Sequence, residues 1–232
     1  MKKGELRKDS IIKTAERLFF ERGYEETSIQ DILDALSISK GGFYHYFESK
    51  GALLEEICRN RSAQDIDRLR MELFSGKFSA VQKLNMLLGA LNIFARENPD
   101  FTALLLKICY VDGDVRLREQ TRVFMLESLR PMVDEVLREG IADGSFFSRN
   151  PGQLGMMILM LGCDANDATC RILAAEPENP DCVIEIMDIL TAYREAVENL
   201  TGAKFGSILL YDAEQLMHAF RQTAKHLGMI KE

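Results

Sequence analysis

The stretch from Thr27 to Lys50 concentrates side chains able to do chemistry. Lys40 and Lys50 are cations, Tyr44, His45 and Tyr46 carry hydrogen-bonding rings, and Gly41-Gly42 leaves the backbone bare. Read for local structure, it is two short helices joined by a tight turn, and the second helix is too aromatic and too basic for a simple core element. Such a helix is built to lie in the major groove of DNA. Gly41 and Gly42 together cost roughly 1–2 kcal/mol relative to alanine in a helix interior. At a first turn the cost is smaller, and the backbone N–H groups and positive end of the helix dipole can approach a phosphate or base edge closely.

Three further elements must hold this helix in place. Ile11, Ile12, Ala15, Leu18 and Phe19 fall on one buried stripe of a preceding helix, with Asp9 or Ser10 as its cap and Gly23 as its left-handed stop. Thr27 or Ser28 opens the next helix, each with an amide or acid three residues on (Gln30, Asp31), the spacing of a capping box. Ile29, Ile32, Leu33 and Leu36 form its apolar face, and Ser37-Ile38 make the turn with Ile38 as plug. Ser39 caps the second helix, which runs to about Tyr46 with Phe43 and Phe47 as anchors. Tyr44, His45 and Tyr46 keep polar tips outside. Ser49 caps a fourth helix, which puts Lys50 beside another N-terminus able to meet a phosphate.

This order of residues resembles the TetR family of bacterial transcriptional regulators. Ala15 through Gly23-Tyr24, Thr27-Ser28-Ile29 with Ile32, Ile38 through Phe47, and Ser49-Lys50 with Ala52-Leu53-Leu54 carry the resemblance, over about the first quarter of the chain. It implies that Lys40 and Gly42 approach bases or adjacent phosphates, that Gln30 reads a base, and that Tyr44, Tyr46 and Lys50 contact phosphates. His45 reaches base or backbone, Gly41 lies in the same close-approach turn, and Ser28 is both cap and phosphate donor. Gly42 and Gly51 depart from the family's usual residues. The first departure shifts base reading toward Gln30, Lys40 and His45.

The formal net charge of −7 is uneven along the chain. Residues 1–61 hold 11 Lys and Arg against 11 Asp and Glu, a net of zero, while the remainder holds 18 against 25, a net of −7. Affinity for DNA must then come from local geometry, with Lys40, Lys50 and a flexible arm of Lys2, Lys3, Arg7 and Lys8 as charge donors. Met1-Lys2-Lys3 leads into a polar helix, so no signal peptide is expected. The longest apolar run, Met156 to Leu161, is too short for a membrane span. Five cysteines at unpatterned spacings point to reduced thiols in a cytoplasm, and Cys163 and Cys170, two turns apart, are too distant to bridge. His218 and His226 have no neighbouring cysteine, and no cofactor or metal is expected.

The expected fold is all-α. Residues 1–50 form a three-helix helix-turn-helix DNA-binding domain, and residues 51–232 a larger helical effector-binding and dimerisation domain. Its helices are expected near 50–73, 79–97, 100–110, 114–142 (with Pro131 kinking or splitting it), 151–175, 181–201 and 211–228. Gly140 to Phe147 resembles the glycine-aromatic corner of TetR-type regulators. Helices 151–175 and 181–201 are the expected dimer interface. Small and soft residues (Gly155, Met156, Met160, Gly162, Ala165, Ala168) would serve the first, and a stripe of Val183, Ile186, Met187, Leu190, Tyr193 and Val197 the second. Met86, Phe94, Phe101, Leu105, Tyr110, Phe124 and Met125 are the candidates to line a mostly apolar effector pocket.

The expected function is that of a homodimeric, ligand-responsive repressor on a palindromic double-stranded operator, released by a small-molecule effector. Two rivals come from other classes. One is an all-helical metal-dependent enzyme built on Asp164 and Asp167; the other is a protein-binding helical scaffold. Nucleophile-elbow, P-loop and HExxH patterns are absent from the sequence, so no enzymatic activity is expected.

Overall fold

A computed structural model of the chain describes residues 3–91, 99–175 and 182–210. The described residues are helical and contain no strand. In chain order the helices are α1 (Lys3–Arg22), α2 (Ile29–Leu36), α3 (Lys40–Tyr44), α4 (Lys50–Ser75), α5 (Ala80–Gly89), α6 (Pro99–Leu106), α7 (Val115–Ala142), α8 (Pro151–Ala175) and α9 (Cys182–Thr201). A π-helical turn, Lys107–Val111, follows α6 directly. Two compact units divide the chain, Met1–Gln64 and Asp65–Glu232.

The smaller unit is built on an apolar centre of Ile11, Ala15, Ile32, Phe43 and Leu53, all fully buried, with Leu18, Phe19, Leu33, Phe47, Leu54 and Ile57 around them. Its first helix starts earlier than its sequence suggests. Asp9 and Ser10 lie inside α1, where Ser10 bonds the Leu6 carbonyl and Asp9 pairs with Lys13 at 2.8 Å. Nothing between Lys3 and Ser10 stops a helix except Gly4, so the expected flexible arm is helical from Lys3 onward. Lys8 pairs with Glu56 of α4 at 2.6 Å instead of reaching outward.

Gly23 ends α1 at φ +92°, its N–H bonded to the Phe19 carbonyl at 3.0 Å. Ser28, not Thr27, caps α2, with the capping box to Asp31 complete. Thr27 is buried instead and bonds the carbonyls of Gly23 (2.8 Å) and Leu18 (3.2 Å), stitching the α1–α2 turn.

The larger unit packs α5, α7, α8 and α9 around Leu84, Leu87, Leu129, Val133, Val136, Ile158, Leu159 and Val197, all fully buried. Pro131 does not split α7. Both Pro131 and Glu127, whose carbonyl lacks an N–H donor from the proline, are on the exposed side. At the glycine-aromatic corner, Phe146 is buried and its N–H bonds the Gly140 carbonyl at 2.8 Å. A Cβ at Gly140 would stand 2.0 Å from the Phe146 ring, so only glycine fits.

The expected dimer stripes need correction. Gly155 and Gly162 are small because intrachain neighbours press on them: a Cβ would meet Asp134 at 2.1 Å and the Tyr193 hydroxyl at 2.5 Å. Ile186, Leu190, Tyr193 and Val197 face the core of their own chain, where the Tyr193 hydroxyl bonds the Ile158 carbonyl at 3.1 Å. Of the expected residues Met160 is exposed, and the other large apolar side chains that α8 and α9 expose are Met157, Leu161, Ile184 and Leu200. The end of helix 79–97, Phe94, the helix 211–228, Lys2, His218 and His226 lie outside the described residues.

Candidate functional site

The helix-turn-helix is set by its caps. Ser37 takes a left-handed conformation (φ 52°) at the end of α2, and the Ile38 N–H bonds back to the Leu33 carbonyl at 3.0 Å. Ser39 then caps α3 through the Gly42 N–H. A helix of five residues does not persist alone. Full burial of a phenylalanine contributes about 1.5–3 kcal/mol, and Phe43 and Phe47, with centroids 5.8 Å apart, supply two such anchors. The opposite face is left to solvent. Lys40, Tyr44 and His45 are exposed, and Tyr44 and His45 stack edge-on against Phe43 and Tyr46. Among the described residues the Lys40 ammonium has neither ion pair nor hydrogen-bond partner.

The other sequence candidates divide. Ser28 and Gln30 are exposed, but both are engaged on α2, the first in the capping box and the second with Asp34 at 2.7 Å. The Ser28 hydroxyl and backbone N–H together hold the Asp31 carboxyl below its ordinary range. Tyr46 is half-buried, its hydroxyl against Gly4. Gly41 is open, and Gly42 lies beside the Arg7 guanidinium, so Arg7 brings a second cation to α3. The sequence hides that proximity, because Arg7 sits 35 residues earlier on a segment expected to be an arm.

Lys50 is placed differently from its reading as a phosphate contact. Its ammonium donates to the carbonyls of Tyr24 (2.9 Å) and Thr27 (3.2 Å) and sits 4.2 Å from the Tyr24 ring centroid. The lysine ties the α1–α2 turn to the start of α4. A sequence reading sees its position beside a helix start; it does not see two carbonyls converging on it from the preceding turn.

This unit is where a family pattern matches. Residues 11–57 fit the model of the bacterial regulatory proteins of the tetR family. The HTH-type transcriptional repressor KstR2 of Mycolicibacterium smegmatis is 30% identical over 144 residues, covering 60% of this chain and 67% of that one. The chain belongs to the TetR family.

Two solved structures agree in fold. A TetR-family transcriptional regulator from Pectobacterium atrosepticum has a TM-score of 0.60 at 18% identity, covering 85% of this chain and 95% of that one. The transcriptional regulator FadR from Bacillus subtilis, solved with stearoyl-CoA, has a TM-score of 0.53 at 20% identity, covering 79% and 96%. As in other TetR-family proteins, the helix-turn-helix is joined to a helical C-terminal part. The relatives are regulators of transcription and not enzymes, which overturns the metal-dependent enzyme built on Asp164 and Asp167. Asp167 is instead the centre of an ion-pair network, and Asp164 is exposed.

That network borders a cavity of about 70 Å³ within the larger TetR unit. Leu91, Leu105, Met125, Cys109 and Cys163 form its apolar walls; Tyr110, Arg118, Thr121, Arg122, Asn166 and Asp167 form the rest. Of the sequence candidates it takes in Leu105, Tyr110 and Met125. Met86 and Phe124 pack against the main core, and Phe101 is buried away from the lining. The lining surface is mostly apolar, as expected from sequence, with polar groups of Tyr110, Arg118, Thr121, Arg122, Asn166 and Asp167 along it.

Asp167 accepts from the Tyr110 hydroxyl at 3.0 Å on one oxygen and from Arg171 at 2.7 Å on the other. Burial, ahead of the nearby Cys170 and Asp167, pushes the Tyr110 hydroxyl upward, and burial also pushes the Cys163 thiol up to about 11. Both therefore stay protonated at neutral pH, and Cys163 is wall rather than nucleophile. All five cysteines are buried and outside any disulfide. Among the described residues no group of three His, Cys, Asp or Glu is placed to hold a metal, and no helix is long and apolar enough to cross a membrane.

Proposed function

We propose that the chain is a homodimeric, ligand-responsive repressor that grips a palindromic operator with one α3 helix per protomer. The observation that carries this reading is the two-faced character of α3. Its phenylalanines are locked in the core, while Lys40, Tyr44 and His45 are held outward with no competing partner for the lysine among the described residues. Lys40, Gly41 and Gly42 approach base edges or adjoining phosphates, Tyr44, Tyr46 and His45 flank them, and Ser28 and Gln30 add contacts from α2. Arg7 supplements the charge, and Lys50 acts by positioning.

Two heads must reach successive major grooves roughly 34–36 Å apart. The pairing surface is proposed on α8 and α9, around the exposed Met157, Met160, Leu161 and Ile184. An effector entering the cavity beside Tyr110 shifts α7 and α8, and α4, which contributes residues to both units, carries the change toward DNA release. A differential affinity of about 1–3 kcal/mol between the two states is sufficient.

Selection of bound duplexes from a random pool tests the reading. The expected product is an inverted repeat whose half-site centres lie one helical turn apart. Recovery of no sequence preference at low salt would end it, and recovery of single, unrepeated sites would end the dimer.

A further inference from the structure

We infer that the effector is a small anion, a carboxylate read by Arg118; this rests on the proposed effector role of the cavity. Asp167 has two oxygens, and each has a close donor. The Tyr110 hydroxyl is 3.0 Å from one and the Arg171 Nε is 2.7 Å from the other. Arg171 does not line the cavity; it neutralises Asp167 from the solvent side, its own side chain 57% exposed. The Arg118 Nε is 3.6 Å from Asp167, longer than a hydrogen bond. Arg118 otherwise rests on the Tyr110 ring, 5.4 Å from its centroid.

The second arginine of the wall is already satisfied. Arg122 is gripped by both oxygens of Glu119, at 2.9 and 3.0 Å. Glu119, Asp164 and Asp167 thus face three guanidinium groups, and the one that gains no hydrogen bond from them is Arg118. Among the described residues its side chain makes no hydrogen bond, although a guanidinium presents five donors in a fixed fork. A ligand carboxylate offers the bidentate partner that this fork lacks. Asp167 is less available to a cationic ligand, because each of its oxygens already accepts a donor and Arg118 and Arg171 offset its charge.

Size and backbone support the same site. The cavity, about 70 Å³, is roughly half of the ~150 Å³ that holds benzene. It suits a carboxylate head with a short apolar stem lying on Leu105 and Met125. The π-helical turn Lys107–Val111 delivers both Cys109 and Tyr110 to the wall, and single π turns are frequent at functional sites. Because Tyr110 and Arg118 meet at Asp167, a ligand that draws Arg118 away loosens the tie between this turn, α7 and α8. That is the differential interaction that a release mechanism needs.

The probes are propanoate, butanoate and hexanoate, each beside its amide and its amine, at constant ionic strength in chloride. Thermal unfolding of the full chain is the first readout, and release of a DNA duplex selected as above is the second. The expected result is that a carboxylate raises Tm and releases the duplex at concentrations about tenfold or more below its amide. Arg118→Gln should abolish that preference in Tm and, because it removes the contact with Asp167, should bind the duplex more weakly even without ligand; Arg118→Lys should keep a weakened form of the preference. Should Arg118→Gln fail to fold, the weakened preference of Arg118→Lys carries the comparison. Equal responses to carboxylate and amide, a response to amines alone, or an unchanged preference in Arg118→Gln would each overturn the inference. Absence of duplex binding by the unliganded wild type would instead remove the repressor reading, and the Tm comparison would still decide whether the cavity reads anions.

Discussion

In the smaller unit, Phe43 and Phe47 face inward while Lys40, Tyr44 and His45, interleaved with them, face out. In the larger unit, Tyr110 and Asp167, 57 residues apart, converge inward with Arg118 between them in sequence. The first arrangement needs one short helix, two caps and an aromatic anchor, all contributed within about twenty residues. The second needs α7, α8 and a π turn to meet correctly before Tyr110 and Arg118 find Asp167. A recognition surface of the first kind is robust because its polar residues are not asked to satisfy one another. A site of the second kind is tunable, since each polar side chain borders another and a ligand can exchange partners.

The difference can be broken by removing an anchor from the smaller unit. Phe43→Ala deletes a fully buried ring, and such truncations cost about 3–5 kcal/mol. The expected outcome is unfolding of the head at a lower denaturant concentration than the larger unit, with loss of duplex binding. Coincident unfolding of both units at the wild-type midpoint would show that α3 does not depend on this anchor. Lys50→Ala should come next. Hydrogen bonds to a charged group contribute about 1.5–3 kcal/mol, and the ammonium of Lys50 holds two carbonyls. Its removal should destabilise the head while leaving the salt dependence of duplex binding intact. An undiminished midpoint together with a flatter salt slope would return Lys50 to the phosphate contacts.

The contrast also explains what the sequence can and cannot reveal. Capping boxes, the αL turn at Ser37 and the i, i+4 pair of Phe43 and Phe47 are local, so the helix-turn-helix and its boundaries are readable within a residue or two. Helices of the larger unit are readable from periodicity, and breaks at Gly113, Gly144 and Gly202 fall at positive φ. Which face of α8 or α9 turns inward is not readable. Glycine and alanine suit close approach to a partner protomer and to the same chain equally, and here Gly162 lies under Tyr193. Arg118 and Arg122 escape a sequence reading for the same reason: a charged residue on a helix is usually solvated, and only the placement of Asp167 from another helix gives Arg118 an inward role.

A smaller effect is expected at the α2 cap. Ser28→Ala removes an N-cap, at a cost of about 0.5–2 kcal/mol. The Ser28 contacts lower the folded-state pKa of Asp31. That linkage contributes stability above the unfolded carboxylate pKa and loses it as pH falls through the folded value. The gap between wild type and Ser28→Ala should therefore be widest near neutral pH and narrow in acid. A gap independent of pH would assign the whole effect to the hydroxyl–backbone bond.

The smallest effect on stability, and the sharpest on function, is expected on the open face of α3. Lys40→Ala removes an exposed side chain without a partner among the described residues, so the unfolding midpoint should not move. The slope of log affinity against log salt should fall by about 0.9 for each phosphate that the lysine no longer neutralises. Gly42→Ala separates structure from recognition more cleanly. A Cβ there meets Ser39 at 3.6 Å, Arg7 at 3.7 Å and Ile38 at 3.9 Å, all ordinary van der Waals distances. Helix propensity then favours alanine by up to about 1 kcal/mol, so the head should be as stable as before or slightly more so. If bare backbone at this turn approaches the groove, the added methyl holds the helix off and duplex affinity falls despite the gain in stability. Unchanged affinity in Gly42→Ala would mean that the two glycines stay clear of the duplex, and that Lys40, Tyr44 and His45 do the reading from further out.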